Sequence, residues 1–224
     1  MRVPVAAAIA VLALVLAGCG GDDSAVPATT DETTTTASTG ECASIEAPAS
    51  RADGGATAPT ERLDPEKTWT LTFDTSCGSF VVTLDTGSAP ATAASLVSLA
   101  EDGFFDDTIF HRIVPGFVIQ GGDPTQSGGG GPGYSTVDVP AAGTQYVRGV
   151  VAMAKTAAEP PGTSGSQFFV VTGADAGLPP EYAVVGEVTE GLDVVELIGT
   201  LGDPATEQPL QPIVIESVTA ASTP

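Results

Sequence analysis

The sequence predicts a mainly β domain, in which an antiparallel sheet closes into a β-barrel with α-helices at its ends. Three observations support this fold class. About eight short segments alternate apolar and polar residues, two further segments have helical periodicity, and Gly and Pro turn signals separate most of them. An open β-sandwich would produce a similar pattern and remains the alternative.

The first 18 residues have the features of a lipoprotein signal peptide. Arg2 provides a short positive region, Val5–Val15 is apolar but too short for a membrane span, and residues 16–19 read Leu-Ala-Gly-Cys. This run resembles the processing box of bacterial lipoproteins. The resemblance implies cleavage before Cys19, lipidation of that residue, and an extracytoplasmic domain anchored to the bacterial cell membrane. An ordinary secretory signal with an incidental Cys is the alternative.

Residues 19–66 are predicted to form a lipid-anchored, disordered tether and arm, followed by a domain at 67–224. No aromatic residue occurs between Gly20 and Thr68, and Thr, Ala, Gly and Pro dominate. Such a composition cannot bury enough apolar surface to offset the entropy of ordering it.

The three cysteines divide into one lipid acceptor and one pair. Once Cys19 is assigned to the lipid, Cys42 and Cys77 remain in an oxidising compartment, so we expect a disulfide between them. Two free buried thiols are the alternative.

Within the domain, short connections separate the predicted elements. Strands are expected at Trp69–Thr75, Ser79–Asp85, Phe110–Val114, Phe117–Gln120, Arg148–Ala154, Gln167–Thr172, Ala183–Val188 and Pro212–Ala220. Pro90 is a favoured first helical residue, and the apolar stripe that follows predicts a helix ended by Gly103. A second helix is expected at Leu192–Ile198. The Gly-rich stretch Ser127–Gly133 lacks the Lys of a phosphate-binding loop and is interpreted as a flexible surface loop.

The chain is strongly acidic, with 28 Asp and Glu against seven Lys and Arg and a formal net charge of −21 at pH 7. Too few cations are available to neutralise phosphates, which argues against nucleic-acid binding. The same charge argues against electrostatic adsorption to anionic lipid. The simplest interpretation is a solvated acidic surface that keeps the domain soluble.

Scarce polar residues concentrate in the stretch Phe110–Asp123, which contains the only His and one of the few Arg residues. A Pro-Gly turn separates two alternating runs in this stretch. Folded as two strands, it would place Arg112 and Gln120 beside Phe117 on one partly exposed surface. A surface salt bridge is the alternative explanation for Arg112.

Two motifs, Phe110–Asp123 and Gly162–Phe169, together resemble the cyclophilin family of peptidyl-prolyl cis/trans isomerases. The similarity covers about Trp69–Thr219 and includes Val150–Ala154 and Tyr182–Val188 as flanking blocks. It implies a closed eight-stranded antiparallel β-barrel capped by two α-helices, with a proline-binding groove on its outer surface.

The resemblance also implies roles for individual residues. Catalysis is assigned to Arg112, Gln120, Phe117 and Tyr182. The substrate-binding positions are His111, Val118, Met153, Ala154, Lys155, Gln167, Phe169 and Leu178. Tyr182 stands where many members have His, and Gly177 stands where a Trp often contacts cyclosporin. Activity with weak cyclosporin binding is therefore expected.

Arg112 suits the reaction chemically. Rotation about an X–Pro bond crosses a barrier of roughly 18–20 kcal/mol because C–N conjugation is broken. A guanidinium that hydrogen-bonds the prolyl nitrogen as it pyramidalises stabilises the twisted imide more than either planar form. The reaction requires no metal, nucleotide or other cofactor.

The resulting hypothesis is a monomeric isomerase that acts on proline-containing unfolded or exported polypeptides. A non-catalytic binder of proline segments, acting as a chaperone or a surface interaction module, is the alternative. A hydrolase is disfavoured, because His111 has no identifiable nucleophile partner and the sequence around Ser164 and Ser166 is not a nucleophile elbow.

Overall fold

The computed structural model describes residues 41–224, which contain eleven strands and two helices. The strands are β1 (Thr68–Thr75), β2 (Gly78–Leu84), β3 (Thr108–Ile109), β4 (Arg112–Val114), β5 (Val118–Gly121), β6 (Thr136–Val137), β7 (Val150–Met153), β8 (Thr163–Ser164), β9 (Phe168–Val171), β10 (Val184–Glu190) and β11 (Val214–Thr223). The helices are α1 (Pro90–Glu101) and α2 (Leu192–Gly199). The predicted signal peptide, the lipidation at Cys19 and the first part of the tether lie outside the described residues.

Nine strands form one antiparallel sheet in the order β3-β11-β1-β2-β10-β7-β9-β5-β4, and β6 pairs with β8. The predicted mainly β architecture with two helices is confirmed. The main sheet has nine strands rather than eight because β3, with two residues, is too short for alternation to reveal it. Its edge strands β3 and β4 are separated only by Phe110 and His111. The sheet is therefore curled, with its two edges at neighbouring positions of the chain.

The curled sheet has apolar side chains on both of its faces. On β9, Phe168 and Val170 belong to the main core, whereas Phe169 and Val171 belong to a smaller cluster on the other face. Because successive side chains of a strand point to opposite faces, a continuous apolar run is needed where both faces are covered. The smaller cluster is the surface on which the functional site is built.

Helix α1 covers the main core and confirms the strongest helix prediction. It begins at Pro90 and ends before Gly103, which adopts a φ of +65° and closes the last turn. The carboxylate of Asp138 accepts the backbone N–H of Thr92 at 2.7 Å and so satisfies a donor of the first turn. Over residues 41–224 neither helix is long and apolar enough to cross a membrane.

Residues 41–67, here called the arm, have almost no regular secondary structure but follow the surface of the domain. The expected disulfide between Cys42 and Cys77 is present, and the backbone N–H of Ala43 donates to Ser76 at 2.7 Å. Leu63 packs against the main core. The arm is thus attached at several points rather than at the disulfide alone.

The Gly-rich stretch after β5 is organised by a buried carboxylate. Asp123 accepts the backbone N–H groups of Thr125, Gly128 and Gly130 at 2.7, 2.6 and 3.2 Å, and the Thr125 hydroxyl at 2.8 Å. Burial by itself raises the pKa of Asp123, but these hydrogen bonds outweigh it and hold the pKa below its usual value. The loop predicted to be a flexible surface segment therefore has a charged centre that defines its shape.

Candidate active site

The site is built on the antiparallel hairpin of β4 and β5. Pro115 and Gly116 form the turn, with Gly116 at a φ of +72° and the N–H of Phe117 donating to Val114 at 3.0 Å. This turn sets the register in which Arg112 lies directly opposite Gln120. The two side chains that the sequence pattern placed on one surface are cross-strand neighbours.

Arg112 is held from two sides. Its Nε donates to Oε2 of Glu207 at 2.7 Å, and its Nη1 donates to Oε1 of Gln120 at 3.4 Å. Gln120 in turn donates through Nε2 to Oε1 of Gln167 at 3.0 Å, and Nε2 of Gln167 donates to the carbonyl of Gly130 at 2.8 Å. This chain of hydrogen bonds fixes the orientation of both amides and so fixes the guanidinium.

Glu207 is the residue that sequence reasoning missed. It lies in a tight turn in which the carboxylate of Asp203 accepts the backbone N–H of Ala205 at 2.7 Å, a bond that lowers the pKa of Asp203. Glu207 has a φ of +60°, uncommon for a residue with a side chain, and its carbonyl accepts the N–H of Ile113 at 2.8 Å. The unusual backbone and the bond to β4 together place the carboxylate at Arg112. No local pattern marks such a contact, because it joins positions 95 residues apart.

A cavity of about 290 Å³ opens beside the guanidinium on the outer face of the sheet. Its lining residues are Arg112, Phe117, Val118, Gln120, Ala154, Lys155, Phe169, Leu178 and Tyr182. The rings of Phe169 and Tyr182 meet edge to face at 5.7 Å between centroids. A cavity with one apolar side, formed by Phe117, Phe169 and Leu178, and a fixed guanidinium beside it can hold a small apolar ring and act on a polar atom attached to it.

The charge of the second cation at this cavity, Lys155, is compensated by other groups of the protein. Nζ of Lys155 pairs with Glu181 at 3.1 Å and donates to the carbonyl of Glu159 at 3.2 Å. It lies 5.3 Å from the ring centroid of Tyr182, and the Lys155 side chain is only 2% exposed. Lys155 therefore supports the ring of Tyr182 and presents little charge to the cavity.

All nine lining residues were among the twelve predicted site residues, and the remaining three lie elsewhere. Gln167 reaches the cavity only through its hydrogen bond to Gln120. Met153 does not line the cavity, because side chains alternate along β7 and this one points into the main core, where it is fully buried. His111 packs beside the Gly-rich loop, where a Cβ atom added to Gly128 would lie 3.7 Å from the imidazole ring.

His111 is not prepared for proton transfer. Neither ring nitrogen has a hydrogen-bond partner among the described residues, and both are shielded from solvent. Burial lowers the pKa of His111; nearby Asp123 opposes this effect, and Arg112 adds to it. The imidazole is consequently neutral at pH 7 and contributes packing.

Within residues 41–224 no group of three or more His, Cys, Asp and Glu side chains is arranged to hold a metal ion. A fixed cation, an amide and a phenol can stabilise a polar group without transferring it.

Comparisons with known proteins agree on one family. The sequence profile described as "Cyclophilin type peptidyl-prolyl cis-trans isomerase/CLD" matches residues 70–220. Peptidyl-prolyl cis-trans isomerase A of Mycobacterium tuberculosis is 37% identical over 173 residues, covering 69% of this chain and 93% of that protein. Peptidyl-prolyl cis-trans isomerase-like 1 of Emericella nidulans is 34% identical over 149 residues, covering 65% and 90%.

Solved structures show the same similarity. A cyclophilin type peptidyl-prolyl cis-trans isomerase of Cryptosporidium parvum has a TM-score of 0.64 at 28% identity and covers 70% of this chain and 99% of its own. A structure of the same protein in the presence of the dipeptide Ala-Pro has a TM-score of 0.63 at 28% identity, with 69% and 99% covered. The curled sheet with two helices is thus a fold that these proteins share.

Proposed function

The chain belongs to the cyclophilin-type peptidyl-prolyl cis-trans isomerases, and from this premise we propose that Arg112 accelerates X–Pro rotation in exported polypeptides by stabilising the twisted imide. The observation that carries the proposal is the position of the guanidinium. It lies at the cavity lined by Phe117, Phe169 and Leu178 and is held by Glu207 on one side and Gln120 on the other.

The cavity suits a proline ring. A volume of about 290 Å³ lined in part by Phe117, Phe169 and Leu178 accepts a pyrrolidine ring. The Cryptosporidium parvum relative was solved in the presence of Ala-Pro. We infer that the cavity of this chain likewise binds the proline ring of its substrates.

Arg112 then acts on the nitrogen of the ring. As the C–N bond twists, the nitrogen regains a lone pair, which accepts a hydrogen bond from the guanidinium more strongly than the planar imide does. One charged hydrogen bond contributes about 1.5–3 kcal/mol, or roughly 10- to 150-fold in rate. Gln120 keeps the guanidinium in this position, and the hydroxyl of Tyr182 donates to the substrate carbonyl.

Removal of the guanidinium tests this role. In a protease-coupled assay on a short X–Pro peptide, we expect Arg112→Ala to lower kcat/KM by about 10- to 150-fold. Arg148→Ala is the matched control, because Arg148 pairs with Glu196 on the surface and does not line the cavity. Equal activities of the wild type and Arg112→Ala would refute the assignment. Peptide binding by the wild type without cis/trans exchange would favour the non-catalytic binder instead.

The export of the protein and its anchoring at Cys19 are proposed from the sequence. The motif Leu-Ala-Gly-Cys after an apolar run and the disulfide between Cys42 and Cys77 both suit an extracytoplasmic protein. In a bacterium that makes the full chain, we expect labelled palmitate to be incorporated and the protein to fractionate with membranes. Cys19→Ala should abolish both. Unchanged labelling of Cys19→Ala would contradict the anchor.

A further inference from the structure

The arm contributes to a second cavity that adjoins the catalytic one. This cavity has a volume of about 470 Å³, and Gln120, Ala154 and Lys155 line both cavities. Asp53 of the arm lines the second cavity, as do the Gly-rich loop and Glu159. A polypeptide bound with its proline in the first cavity therefore passes a surface that the arm helps to build.

The arm is docked at this cavity by its backbone and by Asp53. The Gly54 N–H donates to the carbonyl of Gly131 at 2.9 Å, and Oδ1 of Asp53 accepts the Gly131 N–H at 2.8 Å. Gly54 has a φ of +73°, and a Cβ atom at Gly133 would lie 3.1 Å from the Cα of Gly54. Glycine at both positions lets the two backbones approach closely enough for these bonds.

The lining of the cavity carries more negative than positive charge, with Asp53 and Glu159 against Lys155. Among residues 41–224 neither Asp53 nor Glu159 takes part in an ion pair. Hydrogen bonds from the backbone and the hydroxyl of Thr156, together with the charge of Lys155, lower the pKa of Glu159, so its carboxylate is ionised at neutral pH. Lys155, the one cation in the lining, is already paired with Glu181.

We propose that the second cavity binds a cationic Lys or Arg side chain of the substrate and that the arm is a specificity element of the enzyme. The inference rests on the proposed function, because it takes the first cavity as the proline site. The two cavities share three lining residues, Gln120, Ala154 and Lys155, so the selected cation lies within a few residues of the proline and on one side of it only.

Paired peptides test the proposal. Each has one proline in an Ala-rich sequence and carries either Lys or Gln at one of the four positions on either side. Dissociation constants come from NMR titration, and cis/trans exchange of the same samples gives the catalytic rate. We expect Lys to bind more tightly than Gln at one position, by about 1.5- to 5-fold for each carboxylate that it meets. The ratio should approach one at about 0.5 M salt.

Single-charge variants of the full chain separate the cavity from the net charge. Asp53→Asn keeps an oxygen to accept the Gly131 N–H and should bring the Lys/Gln ratio of dissociation constants closer to one, as should Glu159→Gln. Glu61→Gln removes the same charge from an exposed position of the arm outside the cavity and should leave the ratio unchanged.

The outcomes distinguish this proposal from the proposed function. A Lys/Gln ratio of one at every position overturns the cationic site, even if every peptide is isomerised. If Asp53→Asn has the same Lys/Gln ratio of dissociation constants as the wild type, the proposed role of the arm in substrate specificity is overturned. Tight, Asp53-dependent binding of Lys peptides without any cis/trans exchange would uphold the cationic site and refute the isomerase mechanism.

Discussion

Replacement of Glu207 tests whether a salt bridge positions Arg112, the proposed catalytic cation. Nε of Arg112 and Oε2 of Glu207 are 2.7 Å apart, and their side chains are 34% and 45% exposed. An exposed ion pair contributes at most about 1 kcal/mol, and the short charged hydrogen bond places this pair at that upper value. We expect Glu207→Ala to lower kcat/KM about fivefold, because the freed guanidinium samples orientations away from the cavity.

The assay is isomerisation of one X–Pro peptide with kcat and KM measured separately. Glu207→Gln keeps an acceptor for Nε and should fall between the wild type and Glu207→Ala. Glu196→Ala is the matched control, since Glu196 pairs with the surface cation Arg148 at 3.0 Å. In the background of Arg112→Ala, Glu207→Ala should have no further effect. A higher activity of Glu207→Ala would refute the reasoning, because the carboxylate would then be competing with the substrate for the guanidinium.

Three further predictions concern titration, the cross-link and the phenol. Burial lowers the pKa of His111 in the folded protein, so the unfolded chain takes up a proton at this residue at a higher pH than the folded protein does. The free energy of unfolding should therefore fall as the pH drops below about 6.5. His111→Gln should remove this contribution, so the free energy of unfolding from urea titrations should fall less steeply below about pH 6.5; an identical slope would contradict the prediction. Replacing both Cys42 and Cys77 by Ala should lower the free energy of unfolding by about 3–4 kcal/mol, from their separation of 35 residues, while peptide isomerisation persists. Tyr182→Phe should lower kcat/KM about fivefold if its hydroxyl donates to the substrate, and unchanged kinetics would limit Tyr182 to packing.

The hairpin of the site was predictable because its determinants are local. The turn residues Pro115 and Gly116 set the register, and alternation then places Arg112 opposite Gln120. Alternation alone leaves open which face is the core, since β9 buries both of its faces. The resemblance to the cyclophilin family selected the outer face. It did not prevent the assignment of Met153 to the groove, although Met153 points into the main core.

The contacts that complete the site were not predictable, because they join distant parts of the chain through backbone geometry. Glu207 reaches Arg112 only through a turn in which a residue with a side chain takes a positive φ. The arm reaches the second cavity through glycines 54 and 133, which are ordinary in a Gly-rich sequence. Composition distinguishes such a segment from a core, but it cannot say where the segment docks.

The acidic composition of the chain has a direct consequence at the proposed proline-binding cavity. Two cations line it, and each is paired with a glutamate from another part of the sequence. The Lys155 side chain is paired with Glu181 and only 2% exposed, so its charge is compensated within the protein. Arg112 is paired with Glu207 through Nε alone, and its side chain stays 34% exposed. A planar guanidinium can bind a carboxylate with one edge and present the other to a ligand, which an ammonium at a buried position cannot do. Arg112→Lys should therefore lose most of the activity that Arg112→Ala loses, although it keeps the charge, and the same peptide assay measures the difference.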